Sequence, residues 1–174
     1  MDKAQLAARV KQAAYLEGDF VLRSGKRSKY YLDKYLFSAQ PDILAELGRR
    51  FAEKVAAAGQ VDVVAGPELG AVSLAAATSM ASGVPFAIVR KATKGYGTDK
   101  LVEGAPVKGK RVLLVEDIGT TEGAALQAAA TLTEAGATVV GLVFALDRME
   151  GAREAVEAAG YTFETILNKQ DLGI

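Results

Sequence analysis

Cysteine and histidine are both absent from the 174 residues. Disulfides, thiolate nucleophiles, the usual zinc ligand sets and every Ser-His or Cys-His mechanism are thereby excluded. An excess of either charge is missing too. The 21 Lys and Arg residues cancel 21 Asp and Glu, so no global positive field exists to hold nucleic acid or an anionic membrane. Any basic site has to be local. The longest apolar run, 139–146, falls far short of the ~20 residues that cross a bilayer. The start, Met1-Asp2-Lys3-Ala4-Gln5, lacks the apolar segment of a secretory signal, and a cytoplasmic location is the expectation. Gly and Pro (18 and 4) are too few for collagen or low-complexity sequence, and with half the residues apolar the chain has a globular composition. At ~100–200 residues per domain the expectation is one domain over 1–174. Carboxylates, hydroxyls, Lys, Arg, backbone N–H groups and a hard cation such as Mg²⁺ are what remains for chemistry.

Leu6, Val10 and Ala13/Ala14 recur at helical spacing before Gly18, which predicts a helix over 2–17. Pro41, then Ile43, Leu47, Phe51 and Val55 in steps of four, then Gly59, predict a second. Between them Phe20-Val21-Leu22 and Tyr30-Tyr31-Leu32 flank a basic stretch and read as a hairpin with a basic tip. From residue 61 apolar strands (61–65, 86–89, 111–116, 139–146) alternate with helices (70–82, 123–135, 151–159), and 161–167 reads as a further edge strand. Strands apolar on both faces and separated by helices imply a mainly parallel α/β sheet covered on both sides, here with an N-terminal helix and hairpin over about 1–40. Ligands of such sheets bind at the carboxyl ends of the strands.

Three strand ends carry chemistry. The segment 112–124 (VLLVEDIGTTEGA) brings Glu116 and Asp117 to the end of a buried strand, then a Gly/Thr loop, then a helix start. Converging N–H groups and the helix dipole suit a phosphate, and adjacent carboxylates suit a vicinal diol, which together point to a sugar phosphate. The turn 65–71 (AGPELGA) has Gly66 and Gly70 where backbone could approach a ligand, although an ordinary βα turn would read the same. The stretch 90–100 (RKATKGYGTDK) has four cations and two glycines, suited to close over a polyphosphate, or else to be a solvated loop. Two look-alikes fail. The match to G-x-x-x-x-G-K at 104–110 precedes a strand and has Arg111 in place of Ser/Thr, and no G-x-G-x-x-G follows a strand.

Together these segments resemble the type I phosphoribosyltransferases over nearly the whole chain, with 112–124 similar to the family's signature for phosphoribosyl diphosphate (PRPP). Phe20–Lys26 with Ser28–Asp33 is similar to the hood motif of the family's orotate branch. Val89–Lys91 with Lys94, Tyr96-Gly97 and 101–104 is similar to its catalytic loop. The resemblance implies Mg²⁺-dependent transfer of phosphoribosyl from PRPP to orotate, with Mg²⁺ carried mainly by PRPP and no direct protein ligand. It implies that Glu116 and Asp117 bind the ribose hydroxyls. The 5′-phosphate falls to Ile118, Gly119, Thr120, Thr121, Glu122, Gly123 and Ala124, and diphosphate to Arg90, Lys91, Lys94 and Tyr96, with Arg23 and Lys26 in the hood as further PRPP contacts. Thr120 and Arg148 would contact orotate, the hood backbone near Tyr30 and Tyr31 would meet the base, and Asp117, Lys91 and Lys94 would carry catalysis. A homodimer whose basic loop reaches the neighbouring site is also implied. Glu122 stands where the family pattern has glycine, so its side chain is expected to point away from the phosphate. A transferase for a purine base and a non-catalytic PRPP-binding relative are the alternatives.

Overall fold

The computed structural model describes residues 1–22, 25, 27–92, 95, 100–119 and 123–174. Helix α1 (Lys3–Ala14) starts at Asp2, whose carboxylate accepts from the Gln5 N–H while the Gln5 side chain accepts from the Asp2 N–H. Its stripe of Leu6, Val10 and Ala14 is fully buried. The helix ends short of the predicted 17, because Tyr15 opens strand β1 (Tyr15–Val21), pairs with Leu32 and stacks its ring on Tyr30 at 5.6 Å. Cross-strand aromatic packing outweighs the helical spacing at this point. Gly18 therefore lies at the register shift between Glu17 and Phe20 and not at a helix stop. Strand β2 (Arg27–Leu32) closes the hairpin, whose expected site residues Arg23 and Lys26 lie outside the described residues.

A short helix α2 (Lys34–Ser38), capped by the Asp33 carboxylate, leads into α3 (Pro41–Ala57), where Ile43, Leu47, Phe51 and Val55 are buried as their spacing predicts. The chain then alternates through β3 (Val63–Pro67), α4 (Val72–Ser82), β4 (Phe86–Val89), β5 (Val102–Gly104), β6 (Arg111–Gly119), α5 (Ala124–Glu134), β7 (Thr138–Asp147), α6 (Ala152–Ala158) and β8 (Phe163–Asn168), ending in a 3₁₀ turn at Lys169–Leu172. The six strands lie in the order β5-β4-β3-β6-β7-β8, all parallel except β5, which runs antiparallel to β4.

Successive residues of the central strands divide between two cores. Val64, Leu113 and Val115 pack under α1, α3 and α4, while Val63, Val112 and Leu114 pack under α5 and α6. Both faces are thus covered, as strands without a polar side require. Helix α4, which follows β3, lies on the first face, and α5, which follows neighbouring β6, lies on the other. The chain therefore departs in opposite directions from two adjacent strands, and a crevice opens between their carboxyl ends.

Candidate active site

Strand β6 runs three residues past the predicted end at 116 and carries Glu116, Asp117, Ile118 and Gly119 as strand positions at the rim of that crevice. Glu116 and Asp117 are 7% and 3% exposed, so two carboxylates are held where charge is costly. Each has found backbone donors. Glu116 Oε1 accepts from the Asp117 N–H at 2.9 Å, and Asp117 Oδ1 accepts from the Ile118 N–H at 2.6 Å. Burial first, then the adjacent Asp117 charge, push the Glu116 carboxyl well above the ordinary carboxylate range.

The other oxygen of Asp117 meets a cation that sequence reasoning did not single out. Lys34 Nζ, reaching from the first residue of α2, lies 3.0 Å from Asp117 Oδ2. Burial opposes the Lys34 charge, but pairing with Asp117 and the more distant Glu116 outweighs it and raises the ammonium's pKa. The 68–71 turn makes room for the pair. A Cβ built on Gly70 would stand 1.8 Å from Asp117 Oδ2 and 3.2 Å from Lys34 Cε. The space expected at Gly70 for a ligand is thus filled by the protein's own carboxylate, and Gly66 lies as close to the Ala71 carbonyl, 2.6 Å from a built Cβ.

Glu68 in the same turn accepts from the Lys91 N–H at 2.6 Å, and its own N–H donates to Val89 O at 2.9 Å. The end of β4 is thereby fastened to the rim, with Lys91 close enough for its charge to act on Glu116. Arg90 folds back on its own segment, Nε donating to Ala92 O at 3.3 Å and N–H to Leu101 O at 2.7 Å. Lys94 and Tyr96 lie outside the described residues, as do Thr120, Thr121 and Glu122. Past them, Gly123 has φ 72° and, among the described residues, no side chain caps α5, whose first N–H groups from Ala124 onward suit an anionic acceptor.

Strand register brings β7 to the same rim, with Asp147 opposite Gly119. Arg148 follows, its N–H donating to Gly119 O at 3.4 Å and its Nη2 3.1 Å from Glu150. Its Nε is buried without a hydrogen-bond partner among the described residues, which leaves a planar donor edge for a ligand. Asp147 accepts from the Met149 N–H at 2.8 Å and so fixes the turn that carries Arg148.

The two hood tyrosines part company. Neighbouring positions of a strand face opposite sides. Tyr30 is half-buried against the first core, between the Tyr15 ring and Lys169 Nζ, 5.8 Å from its centroid. Tyr31 is 39% exposed and tilts onto Phe20 at 5.7 Å, so of the two rings it is the one open to a ligand. An open cleft of about 460 Å³ adjoins the site between α2, the 68–71 turn and α4. A larger one of about 580 Å³, between β5 and the end of α5, contains none of the expected site residues.

A switch-point crevice rimmed by paired acids, a helix start and an arginine has the donors and acceptors that suit a phosphorylated sugar. The chain belongs to the type I phosphoribosyltransferase family: the phosphoribosyl transferase domain matches residues 37–171. Its relatives bear a more particular name. The orotate phosphoribosyltransferase of Methanocella arvoryzae is 44% identical over 169 residues, covering 97% of this chain and 95% of that protein. Among solved structures, orotate phosphoribosyltransferase of Mycobacterium tuberculosis H37Rv in complex with Fe(III) dicitrate superposes with a TM-score of 0.90 at 37% identity, covering 100% of both chains. The same enzyme in complex with PRPP superposes with a TM-score of 0.86 at 35% identity, again over 100% of both chains.

Proposed function

We infer that the protein is an orotate phosphoribosyltransferase, which moves the phosphoribosyl group of PRPP to orotate and releases diphosphate and orotidine 5′-monophosphate. The observation that carries this reading is Arg148, whose buried Nε, without a hydrogen-bond partner among the described residues, lies at the end of β7 beside the acids of β6 and suits a planar carboxylate. Relatives named for this activity at 41–47% identity support it.

Breaking the bond between C1 and diphosphate leaves an oxocarbenium-like ribose, so the work of the site is positioning and charge stabilisation. Glu116 and Asp117 hold the ribose hydroxyls, and the negative charge they retain lies under the carbon where positive charge develops. The N–H groups at the start of α5 take the 5′-phosphate, while Lys91, with Lys94 and Arg90, takes the departing diphosphate. Orotate attacks through a ring nitrogen that is already acidic, so no general base is required. When bound, Mg²⁺ neutralises diphosphate charge. The donor set suits a cation that arrives on PRPP: Asp117 already has Lys34 on one oxygen and a backbone N–H on the other.

A homodimer, with the 90–100 segment serving the neighbouring site, is part of the proposal. Tyr35, Leu36, Leu69 and Met80, 49%, 39%, 69% and 88% exposed, give α2, the 68–71 turn and α4 an apolar surface that a second copy would cover. The base is tested by diphosphate release with PRPP and Mg²⁺ in the presence of orotate, adenine, guanine, hypoxanthine or uracil in turn. Release with orotate alone is expected. Release with a purine instead would reassign the protein to another branch, and release with none would mark a non-catalytic relative.

A further inference from the structure

We propose that Lys34 is a positioning residue of the transfer reaction, whose ammonium orients the Asp117 carboxylate for the ribose. This rests on the reading that these two acids hold the ribose hydroxyls. Three elements distant in sequence converge to make the contact. Helix α2 supplies the cation, the 68–71 turn supplies a position with no Cβ, and β6 supplies the carboxylate.

The contact is oriented as a positioning device requires. Asp117 Oδ1 is held by the Ile118 N–H at 2.6 Å; Lys34 Nζ lies 3.0 Å from Oδ2 as an ion pair without hydrogen-bond geometry, so Oδ2 has no hydrogen-bond partner among the described residues and keeps its lone pairs for a ligand hydroxyl. One oxygen is thus fixed by a hydrogen bond and the other is drawn towards the ammonium by charge. What faces each of the two adjacent buried acids differs. Lys34 lies directly on Asp117; Glu116 faces the Asp117 N–H, with Lys34 and Lys91 acting on it from farther away. The ammonium therefore acts most strongly on Asp117, while burial and the adjacent Asp117 charge raise the Glu116 carboxyl.

Position also argues for function over packing. The Lys34 side chain is 36% exposed and is the first residue of a five-residue helix already capped by Asp33, so the helix does not need it. A flexible four-carbon arm also lets Nζ keep its hold while Asp117 adjusts to a ligand.

The test is a double-mutant cycle of Lys34→Met and Asp117→Asn, with Lys34→Arg as the conservative variant, all read by steady-state kinetics and by thermal melting. Lys34→Met is expected to lower kcat about ten- to hundredfold, the scale of one lost contact to a charged group, to leave the orotate KM within about threefold, and to lower the melting temperature while the protein stays folded at the assay temperature, since Asp117 keeps a buried charge without its cation. Lys34→Arg should recover most of the lost kcat. On the Asp117→Asn background Lys34→Met should cost little more, since the group it positions has lost its charge. A wild-type kcat in Lys34→Met beside a crippled Asp117→Asn overturns the proposal alone, as does a full multiplicative loss in the double variant. A wild-type kcat in Asp117→Asn overturns the ribose reading and the proposal with it.

Discussion

Arg148 shows how a single side chain can be read from sequence in kind but not in circumstance. Its candidacy came from the family resemblance, and the structure puts it beside Gly119 through the β6–β7 register. That its Nε has no partner among the described residues while Nη2 faces Glu150 depends on a turn held by Asp147, which no local pattern encodes. Removing it leaves the sheet intact and takes away the donor for a carboxylate. Arg148→Ala is expected to raise the orotate KM roughly 10- to 100-fold, the equivalent of ~1.5–3 kcal/mol, with PRPP affinity changed far less when measured by calorimetry. Equal damage to both substrates would assign Arg148 to the framework of the strand end. Glu116 and Asp117 were legible because two acids ending a buried strand are conspicuous. Lys34 was not, because a lysine after a capping aspartate looks like any solvated helix start, and only the folded chain brings it 83 positions along to Asp117.

Among the elements, those with long apolar spacing were readable and those decided by tertiary pairing were not. Helix α3 follows its four-residue stripe closely, yet β1 takes Tyr15 from the predicted first helix, and β5, three residues long, exists through its pairing with β4. Helix α3 also carries a buried acid. Glu46, 8% exposed, is bonded by Arg49 and Arg50 and approached by the Met1 ammonium at 3.4 Å, and the hydrogen bond from Arg49, with Arg50 and despite burial, lowers its carboxyl to about 2. A carboxyl held below its unfolded value of 4.5 stabilises the fold fully above that pH and loses the contribution as pH falls towards 2. Glu46→Gln is therefore expected to unfold more easily than the parent at pH 7, by ~1–2 kcal/mol, and the two denaturation midpoints should converge as pH falls from 4.5 towards 2. A gap that stays constant over this range would show that the charge is immaterial and that shape alone matters.

For the whole molecule, the alternation of apolar strands and helices was enough to foresee a covered, mainly parallel sheet with its site at the strand ends. The crevice itself follows from α4 and α5 lying on opposite faces, which depends on strand order and so lay beyond what periodicity tells. The proposed dimer makes a prediction of its own. If the 90–100 segment serves the neighbouring site, inactive Lys94→Ala and inactive Asp117→Asn subunits mixed under exchange conditions should regain part of the activity, because some hybrid sites carry neither lesion. Verified exchange with no recovery would place that segment over its own subunit's site. The central claim, that this crevice transfers phosphoribosyl to orotate through the acids ending β6, is tested most directly by following orotate absorbance with PRPP and Mg²⁺ for the parent protein and for Asp117→Asn. The account predicts PRPP-dependent loss of orotate in the parent and a rate at least ~10²-fold lower in the variant at an unchanged melting temperature; equal rates in the two, or no loss of orotate in the parent, would contradict it.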